Sequence, residues 1–408
     1  ESTINHPLIE ADDAQRMLAA IEQLGATVAR DEQAVTITGT GGRLVVDPNN
    51  PTIDLNNAGT ATRFLSAAAL LADSPLTITG NERMQQRPIR ELVDLLTTLG
   101  ATVEYLKNEG CPPIRITPPN DLRSMPGTVE ILPTQSSQFV SALMLIAPFL
   151  PNGLTLTQPK GVTSASYVRM TLELLDHLGV HTQHAGDLAV IRIKRGINRF
   201  VLDIEPDASG ATYWWAAGAL LPDATIRVEG IALDASQQGD AQFPLLLERM
   251  GCTLVTGERT LACRGTNNLI PIICDMRDMP DAVMSLAAVA CFASGTTIIR
   301  GVKTLRVKEC DRIEAMKVEL GKIGVVVTDN LNGDEDTLSI TPPQNWDAVS
   351  ESSPIVMDTY DDHRMAMSLS LLALRLPNIV INEPKCVAKT YPSYFEDLGR
   401  VYDPNEHI

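Results

Sequence analysis

The stretch "LVDLLTTLGATVEY" (residues 92–105) joins an amphipathic helix, a glycine and an apolar strand, and this combination recurs along the chain. Glycine after the last helical turn is a common way to end a helix, because glycine adopts the left-handed conformation without strain. The combination surrounds six glycines: Gly25, Gly100, Gly179, Gly251, Gly324 and Gly399. Their separations of 75, 79, 72, 73 and 75 residues indicate an internal repeat.

A second type of segment alternates with the first. It begins with a short polar loop and continues into a helix that is apolar on nearly every face. The five copies are "NAGTATRFLSAAALLA", "QSSQFVSALMLIAPFL", "DASGATYWWAAGALL", "PDAVMSLAAVACFA" and "DDHRMAMSLSLLAL". A helix without a polar face has to be buried. Each repeat therefore holds one buried and one half-exposed helix, with short strands such as "PLTITG" and "PIRITPP" between them.

These patterns predict an α/β protein of six βαβαββ-like repeats around buried helices. A chain of 408 residues favours two domains. We expect three repeats in each, with domains at residues 1–204 and 205–408 and a junction near Val201–Pro206. Gly25 has too little chain before it for a full repeat, so the first repeat is expected to be truncated and an N-terminal segment with a sixth buried helix to be missing.

Composition and charge exclude several classes of protein. The formal net charge of −17 argues against nucleic acid as a partner, which requires a basic surface. The seven cysteines form no C-x-x-C pair, so neither zinc nor a disulfide framework is expected, and a reducing, cytoplasmic compartment is favoured. We therefore expect no metal site. No apolar run reaches the length of a membrane span.

Charged and polar residues gather where helices begin, and helix N-termini attract anions. The stretch "TLRVKECDRIEAMKVELGKIG" (residues 304–324) is the densest example: Asp311 and Glu314 match a capping box, and Lys308, Glu309 and Arg312 lie at the helix mouth. The other loops of this kind contribute Gly59, Arg87, Ser136, Ser137, Gln138, Asp281, Asp362, His363, Arg364 and Lys389. If the buried helices of each domain run parallel, these loops converge and the two domains face each other across an anion-binding cleft.

Each of these residues also has a structural interpretation. The serines before a helix are often only caps, and Asp281 is about as well explained as an N-cap. His363 beside Asp362 is more simply explained by a structural hydrogen bond. The arginines and lysines are commonly solvated. The recurrence of such loops at one place in each repeat favours the functional interpretation.

The chain resembles the 5-enolpyruvylshikimate-3-phosphate (EPSP) synthase family. The motifs that carry the resemblance are "NAGTATR", "RMQQRP", "SSQF", "DASGATY", "QGDAQF", "MPDAVM", "RVKECDRIEAM", "DDHRMAM" and "AKTYPSYF", in the family order over nearly the whole chain. The resemblance implies the enolpyruvyl transferase fold, an α/β prism with the active site between the domains. It also implies transfer of the enolpyruvyl group of phosphoenolpyruvate to the 5-hydroxyl of shikimate 3-phosphate by addition and elimination, without a cofactor. It further implies a monomeric enzyme of the shikimate pathway of aromatic amino acid biosynthesis that is a target of glyphosate.

The family's functional residues carry over by position. Ser136, Ser137, Gln138, Ser164, Tyr167, Asp281 and Lys308 would bind shikimate 3-phosphate. Phosphoenolpyruvate would bind to Gly59, Arg87, Gln138, Arg312, Arg364 and Lys389. Asp281 would take the proton of the 5-hydroxyl, Glu309 would handle the proton at the methylene carbon, and Lys308 and His363 would assist.

The sequence also departs from the family pattern. The Lys-Ser-x-x-x-Arg loop near the family's N-terminus is absent, so a non-catalytic anion-binding fragment stays an alternative. Ser166 and Arg169 replace the usual Pro and Asp, and Thr304 replaces a common Asn, which affects sugar binding. A second alternative is UDP-N-acetylglucosamine enolpyruvyl transferase, but "NERMQQRP" lacks the cysteine that this enzyme usually carries before its Arg-Pro.

Overall fold

A computed structural model describes residues 1–402 apart from Glu32, Asp223, 347–348 and 350–352. The chain divides into two compact units, Glu1–Ile204 and Glu205–Ile408. The division lies inside the segment Val201–Pro206. Each unit is described separately below.

Among the residues that the structure describes, the first unit contains five α-helices and twelve strands. The helices are α1 (Asp12–Gln23), α2 (Gly59–Ala68), α3 (Arg90–Thr98), α4 (Gln138–Ile146) and α5 (Ala165–His177). The strands are β1 (Ser2–Asn5), β2 (Thr27–Arg30), β3 (Ala34–Thr38), β4 (Thr52–Asp54), β5 (Leu76–Thr79), β6 (Thr102–Tyr105), β7 (Ile114–Thr117), β8 (Thr128–Glu130), β9 (Leu154–Thr157), β10 (Thr182–His184), β11 (Val190–Ile193) and β12 (Val201–Asp203).

These strands form three four-stranded sheets of the same plan. The strand orders are β12-β1-β3-β2, β4-β5-β7-β6 and β8-β9-β11-β10. In the second sheet β4 and β5 run parallel and the other pairs antiparallel, because α2 makes the crossover between β4 and β5. The order β4-α2-β5-α3-β6-β7 is the βαβαββ repeat predicted from the sequence, and β8 to β11 with α4 and α5 repeat it.

The second unit continues the plan, and its described part contains six α-helices and nine strands. The helices are α6 (Ala208–Leu220), α7 (Phe243–Arg249), α8 (Val283–Ala290), α9 (Arg312–Gly321), α10 (His363–Ser370) and α11 (Tyr394–Tyr402). The strands are β13 (Thr225–Glu229), β14 (Thr253–Gly257), β15 (Thr260–Arg264), β16 (Ile273–Asp275), β17 (Thr297–Arg300), β18 (Val326–Leu331), β19 (Asp334–Thr341), β20 (Ile355–Met357) and β21 (Ile379–Ile381). They pair as β13-β15-β14, β16-β17-β19-β18 and β20-β21.

The apolar helices are buried, as their lack of a polar face predicts. Every residue of α8 is buried, and eleven of the thirteen residues of α6 are. In the first unit α2 packs against α4, and Phe139, Leu143 and Met144 are almost fully inaccessible to solvent. Burial of such side chains is the main favourable contribution to folding. The α/β fold of repeats around buried helices is confirmed.

Five of the six repeat glycines end a helix, and one does not. Gly100 has φ 93° and follows α3, where its backbone N–H bonds to the carbonyl of Thr97 at 2.9 Å. The prediction for Gly399 is wrong, because this residue lies inside α11. Glycine permits the left-handed conformation but does not require it. Here Arg400 forms ion pairs with Glu396 and Asp397, which stabilise the helix around Gly399.

Within the described residues, no helix combines the length and apolarity that a membrane crossing requires. The same part of the chain contains no group of three or more His, Cys, Asp or Glu side chains placed to hold a metal ion.

Candidate functional site

Arg312 is the centre of a cluster of charges in the second unit. Its guanidinium donates from Nε to Asp362 Oδ2 at 2.8 Å, from Nη1 to Asp281 Oδ1 at 2.9 Å and from Nη2 to Glu309 Oε2 at 2.9 Å. Its side chain is 1% exposed. The planar fork of donors in arginine allows one side chain to bind three carboxylates. The sequence analysis predicted these residues near one another, and the structure adds that they are paired. Arg312, Glu309 and Asp362 are buried, whereas the side chain of Asp281 is 18% exposed.

Local sequence explains why Arg312 lies at the start of α9. Asp311 caps the helix, since its Oδ1 accepts from the backbone N–H groups of Ile313 and Glu314, both at 3.1 Å. The capping box was predicted with Glu314 as its second member. Glu314 instead accepts a hydrogen bond from Lys317 Nζ at 3.1 Å, so its carboxylate forms an exposed ion pair with Lys317.

Three further cations surround the buried carboxylates. Lys308 Nζ lies 3.3 Å from Asp281 Oδ1, and Arg364 Nη2 lies 3.2 Å from Asp281 Oδ2. Lys389 Nζ lies 3.9 Å from Glu309 Oε1. Their side chains are 26%, 13% and 11% exposed, which makes them more accessible than Arg312. We call Asp281, Lys308, Glu309, Arg312, Asp362, Arg364 and Lys389 the charge cluster. It contains four cations and three carboxylates.

The cations control the ionisation of the carboxylates. Burial alone would raise the pKa of Asp281, but Arg364, Lys308 and Arg312 together hold that pKa well below its usual range. The pKa of Asp362 is also lowered, because Arg312 outweighs the effect of burial. Both carboxylates are therefore ionised at neutral pH, and each depends on its cationic partners.

His363 is buried at the start of α10 next to Asp362. Its Nδ1 lies 3.6 Å from Asp362 Oδ1, which is too far for a hydrogen bond, and neither ring nitrogen has a hydrogen-bond partner among the described residues. Burial, assisted by the positive charge of Arg364, lowers the pKa of His363 to about 3. The structural hydrogen bond considered as an alternative is therefore not formed, and the imidazole is neutral.

A second group of cations lies in the first unit at the start of α2. Arg63 donates from Nη1 to the carbonyl of Gly59 at 2.8 Å, and Arg87 Nη1 lies 3.3 Å from Asn57 Oδ1. Both arginines are 5% exposed. A Cβ on Gly59 would lie 2.6 Å from Arg63 Nη1 and 2.8 Å from Arg87 Nη1. Glycine at this position therefore allows two guanidinium groups to lie against the helix backbone.

The polar residues predicted to bind the sugar phosphate lie at two other helix starts of the first unit. Ser136 and Ser137 precede α4, and Gln138, its first residue, donates from Nε2 to Thr60 Oγ1 of α2 at 2.8 Å. This bond brings Gln138 to the helix of Gly59. Ser164 precedes α5 with φ 47°, and Tyr167 lies in the first turn of that helix.

Sequence reasoning missed several members of these sites. Asp362 was noted only as a residue at a helix start. It caps α10, since it accepts a hydrogen bond from the backbone N–H of Arg364 at 2.9 Å, and it is also the main counter-ion of Arg312. Tyr213 OH lies 3.5 Å from Arg364 Nη1. Asp240 is buried, and burial followed by the charge of Asp281 raises its pKa to about 7. Tyr213 and Asp240 lie in the motifs "DASGATY" and "QGDAQF", so these motifs could have indicated both residues as members of the site.

Comparison with known proteins agrees with the geometry. Residues 1–398 match the family described as EPSP synthase (3-phosphoshikimate 1-carboxyvinyltransferase). A 3-phosphoshikimate 1-carboxyvinyltransferase of Shewanella denitrificans is 39% identical over 399 residues, which cover 97% of this chain and 89% of the relative. The enzyme of the same name from Citrobacter koseri is 38% identical over 420 residues, covering 99% and 91%.

Solved structures show the same fold. An EPSP synthase from Acinetobacter baumannii matches 98% of this chain and 89% of its own with a TM-score of 0.73 at 24% identity. The enolpyruvyl transferase NikO from Streptomyces tendae matches 98% and 88% with a TM-score of 0.69 at 19% identity. These likenesses concern the fold alone, whereas the family match and the curated relatives extend to sequence. The chain belongs to the EPSP synthase (3-phosphoshikimate 1-carboxyvinyltransferase) family.

Proposed function

We propose that this protein transfers the enolpyruvyl group of phosphoenolpyruvate to the 5-hydroxyl of shikimate 3-phosphate and releases phosphate. The observation that carries the proposal is the charge cluster, in which three partly accessible cations, Lys308, Arg364 and Lys389, lie beside the carboxylates of Asp281 and Glu309. Both substrates are anions. The names of the relatives favour this substrate pair over that of UDP-N-acetylglucosamine enolpyruvyl transferase.

The pairing within the cluster indicates how an anion would bind. Lys308 and Arg364 now neutralise Asp281, and Lys389 lies beside Glu309. A phosphate or carboxylate of the substrate would replace these contacts as the partner of Arg364 and Lys389. Asp281 would then lose part of its positive surroundings. Its pKa would rise, and a carboxylate with a higher pKa is the stronger base.

Asp281 and Glu309 are proposed as the two proton-transfer groups. In the addition step Glu309 acts in its protonated form: the 5-hydroxyl oxygen attacks C2 of phosphoenolpyruvate, Asp281 takes the hydroxyl proton, and Glu309 gives its proton to the methylene carbon. In the elimination step, Glu309 takes back a proton from the new methyl group as the bond between C2 and the phosphate oxygen breaks, and the proton held by Asp281 passes to the departing phosphate or to water. Lys308 stabilises the charge of the attacking oxygen, and neutral His363 assists as a neighbouring dipole.

Arg312 differs from Arg364 and Lys389 because it is the centre of the charge cluster and already binds several carboxylates. Four of its five guanidinium N–H groups already donate to carboxylates. A bidentate contact between Arg312 and phosphoenolpyruvate therefore requires at least one of these bonds to exchange. In the first unit, Arg87 and Gly59 would bind phosphoenolpyruvate with Gln138, while Ser136, Ser137, Ser164 and Tyr167 would bind shikimate 3-phosphate. The sequence predicts that residues of both units bind the same pair of substrates, and this stays a prediction.

The remaining sequence predictions are kept as part of this proposal. The protein would act in the cytoplasm as a monomer, without a metal or organic cofactor, in the shikimate pathway of aromatic amino acid biosynthesis. Glyphosate would inhibit it at the phosphoenolpyruvate site.

The direct test is phosphate release by the protein expressed from its complete reading frame, with both substrates present. We expect phosphate and the enolpyruvyl product in equal amounts, and no release when either substrate is omitted. Replacing shikimate 3-phosphate with UDP-N-acetylglucosamine should abolish release. Binding of both substrates without turnover would instead identify a non-catalytic anion-binding protein.

Replacing Gly59 with alanine is expected to raise the KM for phosphoenolpyruvate by about tenfold or more, because overpacking costs about 1–3 kcal/mol. The new Cβ would displace the guanidinium groups of Arg63 and Arg87. The KM for shikimate 3-phosphate should change little. The inhibition constant of glyphosate should rise more than the KM for phosphoenolpyruvate.

Gly39 provides a matched control, because a Cβ at that position meets no atom within 4 Å. Steady-state kinetics of Gly39→Ala should equal those of the unmodified protein. Unchanged KM and glyphosate inhibition in Gly59→Ala would show that the arginines move without consequence, and would remove Gly59 and Arg87 from the proposed phosphoenolpyruvate site.

A further inference from the structure

Glu319 is a buried carboxylate that the proposed reaction does not use. It lies on α9 and is 0% exposed. Its Oε1 accepts a hydrogen bond from Tyr360 OH at 2.8 Å, and its Oε2 accepts from the backbone N–H of Asp358 at 2.8 Å and from Lys322 Nζ at 2.7 Å. Buried carboxylates are uncommon unless they are paired in this way. Two of its three partners belong to one loop, residues 358–361.

That loop adopts an unusual backbone conformation. Tyr360 and Asp361 have φ values of 56° and 53°, so two consecutive residues other than glycine are left-handed. Left-handed residues are normally single, and a bulky residue such as tyrosine adopts this conformation rarely. Such a conformation persists only when its surroundings enforce it. Glu319 binds the residue before the turn and one residue within it.

The turn leads directly into the charge cluster. Asp362 follows it, bonds through its backbone N–H to the carbonyl of Thr359 at 2.9 Å, and caps α10. His363 and Arg364 come next in the chain. The direction in which Asp362 and Arg364 project therefore depends on the turn at residues 360–361.

Helix α9 holds this segment at two places. Arg312 binds Asp362 after the turn, and Glu319 binds Asp358 and Tyr360 before and within it. Residues seven apart lie on the same helix face, about 10 Å from each other along the axis. One rigid helix thus fixes both ends of the loop that supplies Asp362, His363 and Arg364.

We propose that Glu319 is a positioning residue, which holds the left-handed turn at Tyr360 and Asp361 and thereby sets the place of Arg364 and Asp362 in the charge cluster. The inference rests on the proposed function, in which Arg364 binds phosphoenolpyruvate. Glu319 itself touches no substrate in this proposal. Lys322 supports it, since Nζ also donates to the carbonyl of Val356 at 2.9 Å and to Asp358 Oδ2 at 3.1 Å.

The test compares Glu319→Gln and Tyr360→Phe with the control Glu314→Gln. Glu314 is on the same helix, but its carboxylate is exposed and forms an ion pair with Lys317 at 3.1 Å. We expect the KM for phosphoenolpyruvate to rise about tenfold or more in Glu319→Gln, because small displacements of binding groups have large effects. Tyr360→Phe should show a smaller rise, and Glu314→Gln none. The KM for shikimate 3-phosphate should stay within about twofold to threefold in all three.

Two further measurements separate positioning from general stability. Amide hydrogen exchange in residues 359–364 should accelerate in Glu319→Gln at temperatures far below Tm. Adding Asp361→Gly to Glu319→Gln should restore part of the KM, because glycine adopts the left-handed conformation without strain. A lowered Tm with unchanged KM and unchanged exchange in this segment would overturn the inference.

Failure of the proposed function would be recognised separately. If the unmodified protein releases no phosphate, calorimetric binding of phosphoenolpyruvate replaces KM as the readout. Weaker binding and faster exchange in Glu319→Gln, compared with Glu314→Gln, would still support positioning. Equal binding in the two variants would overturn it.

Discussion

Arg312→Ala is expected to lower the free energy of unfolding of the second unit by about 3–5 kcal/mol, the usual scale for removing one partner of a buried ion pair. Arg312 is bound to Asp362, Asp281 and Glu309, so its loss leaves buried carboxylates without their shared cation. Asp281 retains Lys308 and Arg364, but Asp362 depends mainly on Arg312. Arg277→Ala is the matched control, since that arginine forms an exposed pair with Asp275 and should cost less than about 1 kcal/mol.

The pH dependence of Arg312→Ala provides a second signature. In the unmodified protein the folded-state pKa of Asp362 is lowered. Its contribution to stability is therefore present above the unfolded value of about 3.9 and is lost as the pH falls. Without Arg312, burial should raise the folded-state pKa above the unfolded value, so stability is lost as the pH rises. The destabilisation should consequently be larger at pH 8 than at pH 5.

Urea unfolding of Arg312→Ala, Arg312→Lys and Arg277→Ala at both pH values would measure these effects. Arg312→Lys keeps one charge but cannot bind three carboxylates at once, so an intermediate loss is expected and this variant should fold if the alanine variant does not. A loss below about 1 kcal/mol in Arg312→Ala at pH 8 would mean that water or backbone groups replace the guanidinium.

The repeat could be predicted from the sequence because each of its signals is local. A helical apolar pattern, a glycine and an alternating strand occupy about fifteen consecutive residues, as in residues 92–105, and their recurrence does not depend on tertiary contacts. Gly399 shows the limit of that argument. Whether a helix ends at a glycine also depends on the side chains around that glycine. Here Arg400 forms ion pairs with Glu396 and Asp397, one turn earlier, and these pairs stabilise the helix across Gly399.

The site was predicted in its residue types but not in its pairing. Polar residues at helix starts are visible in the sequence, whereas the partners of Arg312 at Asp281 and Asp362 are 31 and 50 residues away. No local pattern shows that Arg312, the first residue of α9, is almost fully buried. Glu319 was overlooked for a related reason. In α9 the apolar residues Ile313, Met316 and Leu320 form the buried face, and a glutamate beside such a face is usually solvated.

Glu309→Gln is expected to reduce turnover by about 10²-fold or more while both substrates still bind, the usual scale for losing a general acid–base group. Glutamine keeps an oxygen that can accept from Arg312 Nη2, now 2.9 Å from Glu309 Oε2, so the charge cluster should keep its geometry. The amide cannot deliver or remove the proton at the methylene carbon.

The kinetic pattern distinguishes proton transfer from charge balance in Glu309→Gln. If Glu309 only neutralises Arg312 and Lys389, removing its charge should leave the cluster more positive, tighten phosphoenolpyruvate binding and leave kcat near normal. If it transfers the proton, kcat falls and the KM values stay within about threefold. Glu314→Gln, five residues further along, controls for the loss of a carboxylate in this stretch and should retain full activity. Near-normal turnover of Glu309→Gln in the protein from its complete reading frame would exclude Glu309 as the proton-transfer group, and Asp281 would then be the carboxylate of the cluster to replace next.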